Sequence, residues 1–586
     1  MQDHVSIAHP SVSASILFDI VVFAGGKAPG LNPLCDNEPK PMLCICNRPM
    51  IWYCLFPWIK AGCTTFFVCV NEDYAALQSY LCREYPSVDF VFVLVPLTQN
   101  QTPSTTCDVV KEYLKHKESL KSDRLSKRRD ALLLSCDTLL PGVDVEHFIH
   151  NFYASVSSVS VLFFRPSRGS SDAVSAGASS QTAGAKGQSG AAAGGGGGKG
   201  GRAPHSDGAS VMRPYTHDFT CVAYEERHEE NVNTGDNSGG NVALNAARRG
   251  VKDFSGKGSG GVHHHRLHFM CPREDEPEPF ISFGFAARRP NLTFAADVVD
   301  VHAYLVRHWV LRYVAETAEE GMTVQRDCIP FLARSQHSTV NVAHNVLLRP
   351  DNKIKYTIPN HWLFDESSPV PLLNARPGPA LPVEADNLLV SCTIYEESAA
   401  TSMHAYRVKT RANFTAVNND ILVGKCSVLG LVEEIGSFGT TAGRHHQQQQ
   451  SRKAAASTAH IAAEGSSTLP ASALALCNLL PDSPITVVLK NESQHVQIKC
   501  SFLRSVPTGN AFITRSIIGK NVTLGTNVRI TNSIILDNVE IGMNSVITGS
   551  VVGSSAMINP GVRVMNCIVG PQCLVEADRK DSVVRA

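Results

Sequence analysis

The sequence predicts an α/β chain in which a doubly wound, mostly parallel sheet is followed by a C-terminal solenoid of hexapeptide repeats. Three observations predict it. Fully apolar runs of strand length alternate with helix-length segments in the first half. Near the C-terminus aliphatic residues recur at intervals of 6, 6 and 5. Between them, Gly/Ala/Ser-rich tracts interrupt the pattern without erasing it.

The α/β unit spans 16–340. ILFDIVVFAGG reads as a buried strand ending in a glycine turn, and RPMIWYCLFPWIKAG as an apolar-faced helix closed by Gly62. TTFFVCVN, VDFVFVLVP, ALLLSCDTLL and SSVSVLFFR are further strands, and RLHFMCP, LTFAADVVDVHAYLVRHWVLRYV and DCIPFLARSQ resume the same unit. Two insertions, at about 166–213 and 226–261, are too polar and Gly-rich to offset the entropy of ordering and read as disordered loops. A connecting segment, 341–440, contains NLLVSCTIYEESAATSMHAYRVKTRANFTAVNNDILVG. Its alternation suggests strands, with Arg407, Lys409 and Arg411 along one face. Such a face is either solvated or turned toward an acidic partner. A low-complexity linker, 441–472, precedes the solenoid at 485–586. The runs His263–His265 and His445–His446 are either metal ligands or polar tracts, and their setting favours the tract.

Cut into seventeen-residue rows from Thr514, the C-terminus reads TRSIIGKNVTLGTNVRI, TNSIILDNVEIGMNSVI, TGSVVGSSAMINPGVRV and MNCIVGPQCLVEA. Ile518, Leu524, Ile530, Ile535, Ile541, Ile547, Val552, Ile558, Val564, Val569 and Val575 stand in phase as inward knobs, one per short strand and three strands per coil. An ordinary sandwich predicts no such phase.

Lys+Arg and Asp+Glu both number 53, so no global field favours nucleic acid or a membrane. The 18 cysteines form no CxxC pairs and suit a reducing cytosol. The N-terminal apolar run Ile16–Phe23 is interrupted by Asp19 and is too short to span a bilayer.

After the first strand comes AGGKAPGLNPLCDNEPKP, a loop of the kind that cradles phosphates. These residues resemble the nucleotide-sugar pyrophosphorylase family, whose signature runs AGG-x-GTRL-x-PLT and then PKP. Ala24, Gly25, Gly26 and Pro39-Lys40-Pro41 match it. The resemblance implies a nucleotide pocket holding Lys40 and a metal-type carboxylate at Asp137 of LLLSCD. The departures fall on the chemistry. Gly30 stands where the family has a triphosphate-binding arginine, Pro29 lacks an N–H, STTC at Ser104–Cys107 replaces the base loop, and no E-K-P sugar motif occurs. Asp300 is a possible second carboxylate or a surface or capping residue. The expectation is a degenerate pocket, Ala24, Gly25, Gly26, Gly30, Lys40 and Asp137, with no catalytic residue, cofactor or metal. Acyltransferase chemistry on the coils needs an edge histidine, and none lies between Thr514 and Ala577.

A degenerate transferase domain followed by hexapeptide coils resembles the gamma and epsilon subunits of translation initiation factor 2B, and LLLSCDTLL, VVDVHAYLVRHWV, DCIPFLARSQ and CIVGPQCLVEA are closest to gamma. That resemblance implies a left-handed β-helix and a cytosolic, non-catalytic scaffold of the guanine-nucleotide exchange factor. Its partners would be the epsilon-type catalytic subunit, the remaining subunits and initiation factor 2, without membrane or direct nucleic-acid contact. Two alternatives stand beside it: an active pyrophosphorylase such as mannose-1-phosphate guanylyltransferase, and a subunit that binds a nucleotide sugar without turnover.

Overall fold

Phe18–Phe23 (β1) is buried from end to end, as a strand covered on both faces must be. Phe18, Ile20 and Val22 enter one apolar layer, while Val21 and Phe23 enter the other, so the period of two distributes a single run between two cores. The computed structural model describes residues 18–26, 28–71, 74–96, 104–120, 129–167, 215–226, 262–273, 286–287, 289, 291–336, 388–397, 403–422, 501 and 511–585. It also describes the strands 346–348, 355–357, 462–463, 486–491, 494–499 and 502–503. Most of the low-complexity linker, most of both insertions and His445–His446 lie outside the described residues.

From β1 the chain passes through α1 (Met50–Lys60), β2 (Thr65–Val70), α2 (Ala75–Glu84), β3 (Asp89–Leu94), α3 (Thr106–Ser119), β4 (Asp130–Ser135), α4 (Val145–Ala154) and β5 (Val159–Arg165). It continues with β6 (Phe219–Glu226), β7 (Val262–Pro272), β8 (Leu292–Val306), α5 (His308–Thr317), α6 (Ile329–Ser335), β9 (Val390–Glu396) and α7 (Arg411–Leu422). Nine strands form one sheet in the order β3-β2-β1-β4-β8-β5-β9-β7-β6. Helices α3, α5 and α6 cover one face and α1, α2 and α4 the other.

The sheet is mixed rather than mostly parallel. β1, β2, β3 and β4 are parallel neighbours, but β8 runs antiparallel to both β4 and β5. Apolarity on both faces reports burial and is silent on direction, which is why the run LTFAADVVDVHAYLV misled. β9 is drawn from the expected connecting segment, yet it lies between β5 and β7 and is buried along most of its length. RANFTAVNND is not a strand: it forms most of α7, whose Phe414, Val417, Ile421 and Leu422 are buried. His263–His265 belong to β7, and His265 stacks on Tyr224 at 4.4 Å. No group of metal-holding residues occurs among the described residues.

The C-terminal region is a stack of short parallel strands in three sheets, pairing seventeen residues on through the regular coils, Ile518 with Ile535, Leu524 with Ile541, Ile530 with Ile547, and fifteen on at the last rung, Val569 with Val584. The eleven phased aliphatics are all buried in one cluster. Corners are turned at positive φ by Asn521, Asn538, Ser555 and Gln572, and by Asn527, Asn544 and Gly561, where Asn and Gly are the least strained residues. Ser516, Ser533 and Ser550 form an internal ladder, each accepting from the N–H one coil on.

One sheet of the stack is apolar on both sides. Ile518, Ile535, Val552 and Val569 point inward, while their neighbours Ile517, Ile534, Val551 and Ile568 pack with Leu31, Leu34, Trp52, Val408 and Phe414 of the α/β unit. Asn37 Nδ2 donates to Gln572 Oε1 at 3.2 Å at the rim. If this docking is a core in its own right, Ile534→Ala costs about 2–5 kcal/mol. Thermal unfolding of the full chain checks this, and an unchanged midpoint would contradict it.

Candidate functional site

The carboxyl ends of β1 and β4 meet, with Cys136 N–H donating to Phe23 O at 3.3 Å. This is the edge of an α/β sheet where ligands bind. The turn after β1 contains Gly26 at φ +92, a conformation that favours glycine. Farther along that loop, a turn opens at Lys40 and delivers its ammonium to Asp137 Oδ2 at 2.6 Å. Ser135 Oγ donates to Asp137 Oδ1 at 2.6 Å.

The third partner comes from far along the chain. Tyr406–Arg407 pairs antiparallel with Thr138–Leu139, and Val408 N–H donates to Asp137 O at 3.0 Å. That short ladder lays the Arg407 guanidinium on Asp137, with Nη2 at 3.2 and 3.4 Å from the two carboxylate oxygens. The expected solvated strand face is therefore corrected at Arg407, which is buried, and at Arg411, which opens α7. Lys409 is half-exposed and faces Asp218 at 3.2 Å.

A bulge in β8, between Asp300 and Tyr304, adds two more groups. Bulges re-aim side chains, and here His302 adopts φ +62 and faces Arg407, with Nδ1 at 3.2 Å from Nη2. Asp300 is neither a surface nor a capping residue. It is buried and accepts from His302 N–H at 2.9 Å, Tyr304 Oη at 2.6 Å and Gln325 Nε2 at 2.7 Å.

The electrostatics follow from burial and pairing. Burial alone would raise the Asp137 carboxyl, but Arg407 and Lys40 hold it well below the usual range. Burial pulls the Lys40 ammonium down, and Asp137 outweighs it and leaves the group raised. Arg407 is raised in the same way against Asp137 and Asp300. Burial and the Arg407 charge push His302 well below an ordinary histidine, so it is neutral. Burial raises Asp300 against the pull of its Tyr304 bond.

Of the residues named from sequence, Lys40 and Asp137 touch, and Ala24 joins β1 to β2 through a 2.9 Å bond to Cys69 O. Gly25 and Gly26 turn the chain. Gly30 lies against the backbone of Lys409, where an added Cβ would collide with the carbonyl oxygen. No side chain fits at 30 while the 406–410 segment is in place. Thr105 of STTC caps α3 in a capping box with Asp108, so this stretch starts a helix. Sequence reasoning missed Arg407 and His302. Arg407 sits between Tyr406 and Val408, both buried, and a cation flanked by core residues was the available signal.

A divalent cation at Asp137, which the family resemblance implies, does not fit this arrangement. Both Asp137 oxygens are taken by Lys40, Ser135 and Arg407, and both Asp300 oxygens by His302, Tyr304 and Gln325.

Two families match the chain. The one described as nucleotidyl transferase covers residues 20–170, and the one described as GMPPB C-terminal domain covers residues 506–580. GMPPB denotes GDP-mannose pyrophosphorylase beta. These matches overturn the resemblance to initiation factor 2B and the translation role drawn from it. They also overturn the expectation of a non-enzyme. The expectation of a non-enzyme rested on Gly30 standing where the family has an arginine. A guanidinium does lie on Asp137, from Arg407.

Asp137→Asn is expected to cost roughly 3–5 kcal/mol, because it leaves Lys40 and Arg407 buried without their counter-ion. The native Asp137 pKa lies below its unfolded value, so its contribution is complete above about pH 4. It fades as pH falls toward the native value. Thermal midpoints of wild type and variant should therefore differ at neutral pH and converge in acid.

Proposed function

We propose that the chain is a nucleotide-sugar pyrophosphorylase of the mannose-1-phosphate guanylyltransferase type. The observation that carries this reading is the pairing, in one chain, of a nucleotidyl transferase match with a GMPPB C-terminal domain match. The cluster at the carboxyl ends of β1 and β4 supports it, because it gathers Lys40 and Arg407 where a phosphate chain would lie over the Gly25–Gly26 turn.

In the forward direction an oxygen of the sugar 1-phosphate attacks the α-phosphorus of the nucleoside triphosphate. The bond from that phosphorus to the bridging oxygen breaks, and pyrophosphate leaves with the electron pair. Such transfers depend mainly on positioning and on cations that meet developing charge. Lys40, the most exposed member of the cluster with 17% of its side chain accessible, is placed to bind the departing phosphates. Asp137 orients it.

The proposal extends to a left-handed winding of the coils and to a cytosolic setting. The cysteines among the described residues are free thiols, in keeping with a reducing compartment. No helix among the described residues is long and apolar enough to cross a membrane. The partner is a nucleotide sugar; the translation partners have no support from the comparisons.

The test is pyrophosphorolysis: purified full chain, GDP-mannose and labelled pyrophosphate, with GTP as the readout. Turnover is expected, falling by roughly 100-fold or more in Lys40→Ala. Absence of nucleoside triphosphate from GDP-, ADP- and UDP-sugars alike would overturn the catalytic reading. Binding of GDP-mannose without turnover would leave a nucleotide-sugar receptor.

A further inference from the structure

Arg407 and His302 carry hydrogen-bond donors that no described residue uses. Arg407 Nε and Nη1 and His302 Nε2 are buried and have no acceptor among the described residues. The third guanidinium nitrogen, Nη2, is held by Asp137 and faces His302 Nδ1. A guanidinium only donates. His302 Nδ1 therefore accepts, and the hydrogen of the neutral ring sits on Nε2. All three orphans are N–H groups, carried by two touching side chains beside the Lys40 ammonium. Leaving buried donors unpaired is costly, and a set of one polarity is satisfied by acceptor oxygens alone.

Geometry also links this set to the loop. The 406–410 segment that delivers Arg407 places the Lys409 carbonyl against Gly30. An arginine at position 30 and Arg407 in its present place are mutually exclusive.

We propose that Arg407 and His302 form the phosphoryl-oxygen site of this pocket. They would bind oxygens of pyrophosphate or of a nucleoside diphosphate sugar in place of an arginine on the loop. The identity of the ligand rests on the pyrophosphorylase reading; its charge and acceptor character rest on the donors. Asp137 acts as a positioning residue, fixing Nη2 so that Nε and Nη1 remain for the ligand, which enters past Lys40.

The experiment is titration calorimetry of the full chain with inorganic pyrophosphate and, separately, GDP-mannose. It compares wild type with Arg407→Lys, which keeps a cation on Asp137 and removes the Nε and Nη1 donors. Binding of both probes should weaken by roughly 10- to 100-fold, with the thermal midpoint little changed. His302→Asn, tolerated at positive φ, should weaken binding by roughly 5- to 10-fold, and it decides the matter if Arg407→Lys fails to fold. Unchanged affinity in the folded variants overturns the assignment, as does a wild type that binds neither probe. Failure of the two readings is distinguishable. Arg407-dependent pyrophosphate binding without GTP formation keeps the site and removes the pyrophosphorylase; turnover with unaltered binding by Arg407→Lys does the reverse.

Discussion

A single buried carboxylate fixes how the parts of this protein meet. Asp137 follows β4 by two residues, receives Lys40 from the loop after β1, and receives Arg407 from a segment 270 positions along the chain. An unpaired charge at that depth would be prohibitive, so each of the three segments is obliged to stay where the other two need it. The ladder between Thr138–Leu139 and Tyr406–Arg407 then aims α7, and α7 supplies part of the surface on which the coils rest. The ion pairs contribute little net stability compared with an apolar replacement. What they contribute is a unique arrangement.

The same cluster ties fold to chemistry. Lys40 and Asp137 belong to the sheet edge where α/β proteins bind ligands, and the β8 bulge turns His302 toward them. Gly30 leaves room for the segment that lays Arg407 on Asp137. The two carboxylates, saturated by hydrogen bonds, behave as structural anchors for cationic and neutral donors.

Much of the architecture was legible because it rests on periodicity. The 6, 6, 5 phase of Ile518 through Val575 reports a geometric repeat that few other folds would tolerate, and the apolar runs report buried strands. Direction was not legible: LTFAADVVDVHAYLV is equally apolar whichever way it runs, and NLLVSCTIYEE carries no mark that it inserts between β5 and β7. In the site, Lys40 and Asp137 were readable from a local motif. Arg407 was harder to read, since its partner is remote and only its two apolar neighbours, Tyr406 and Val408, set it apart from Lys409 and Arg411. The second aliphatic in SII, SII, SVV and CIV marks the interior; the first marked a docking face and passed as ordinary strand composition.

That docking face has a bearing on how the chain can change. A free-standing solenoid gains or loses whole turns with little consequence, because each turn touches only its neighbours. Here Ile517, Ile534, Val551 and Ile568 bind four successive turns to one rigid body. A duplicated or deleted seventeen-residue unit would preserve every internal contact and still slide the stack one rung against the wall. Repeat number, normally the freest variable in such architectures, is locked by geometry outside the repeats.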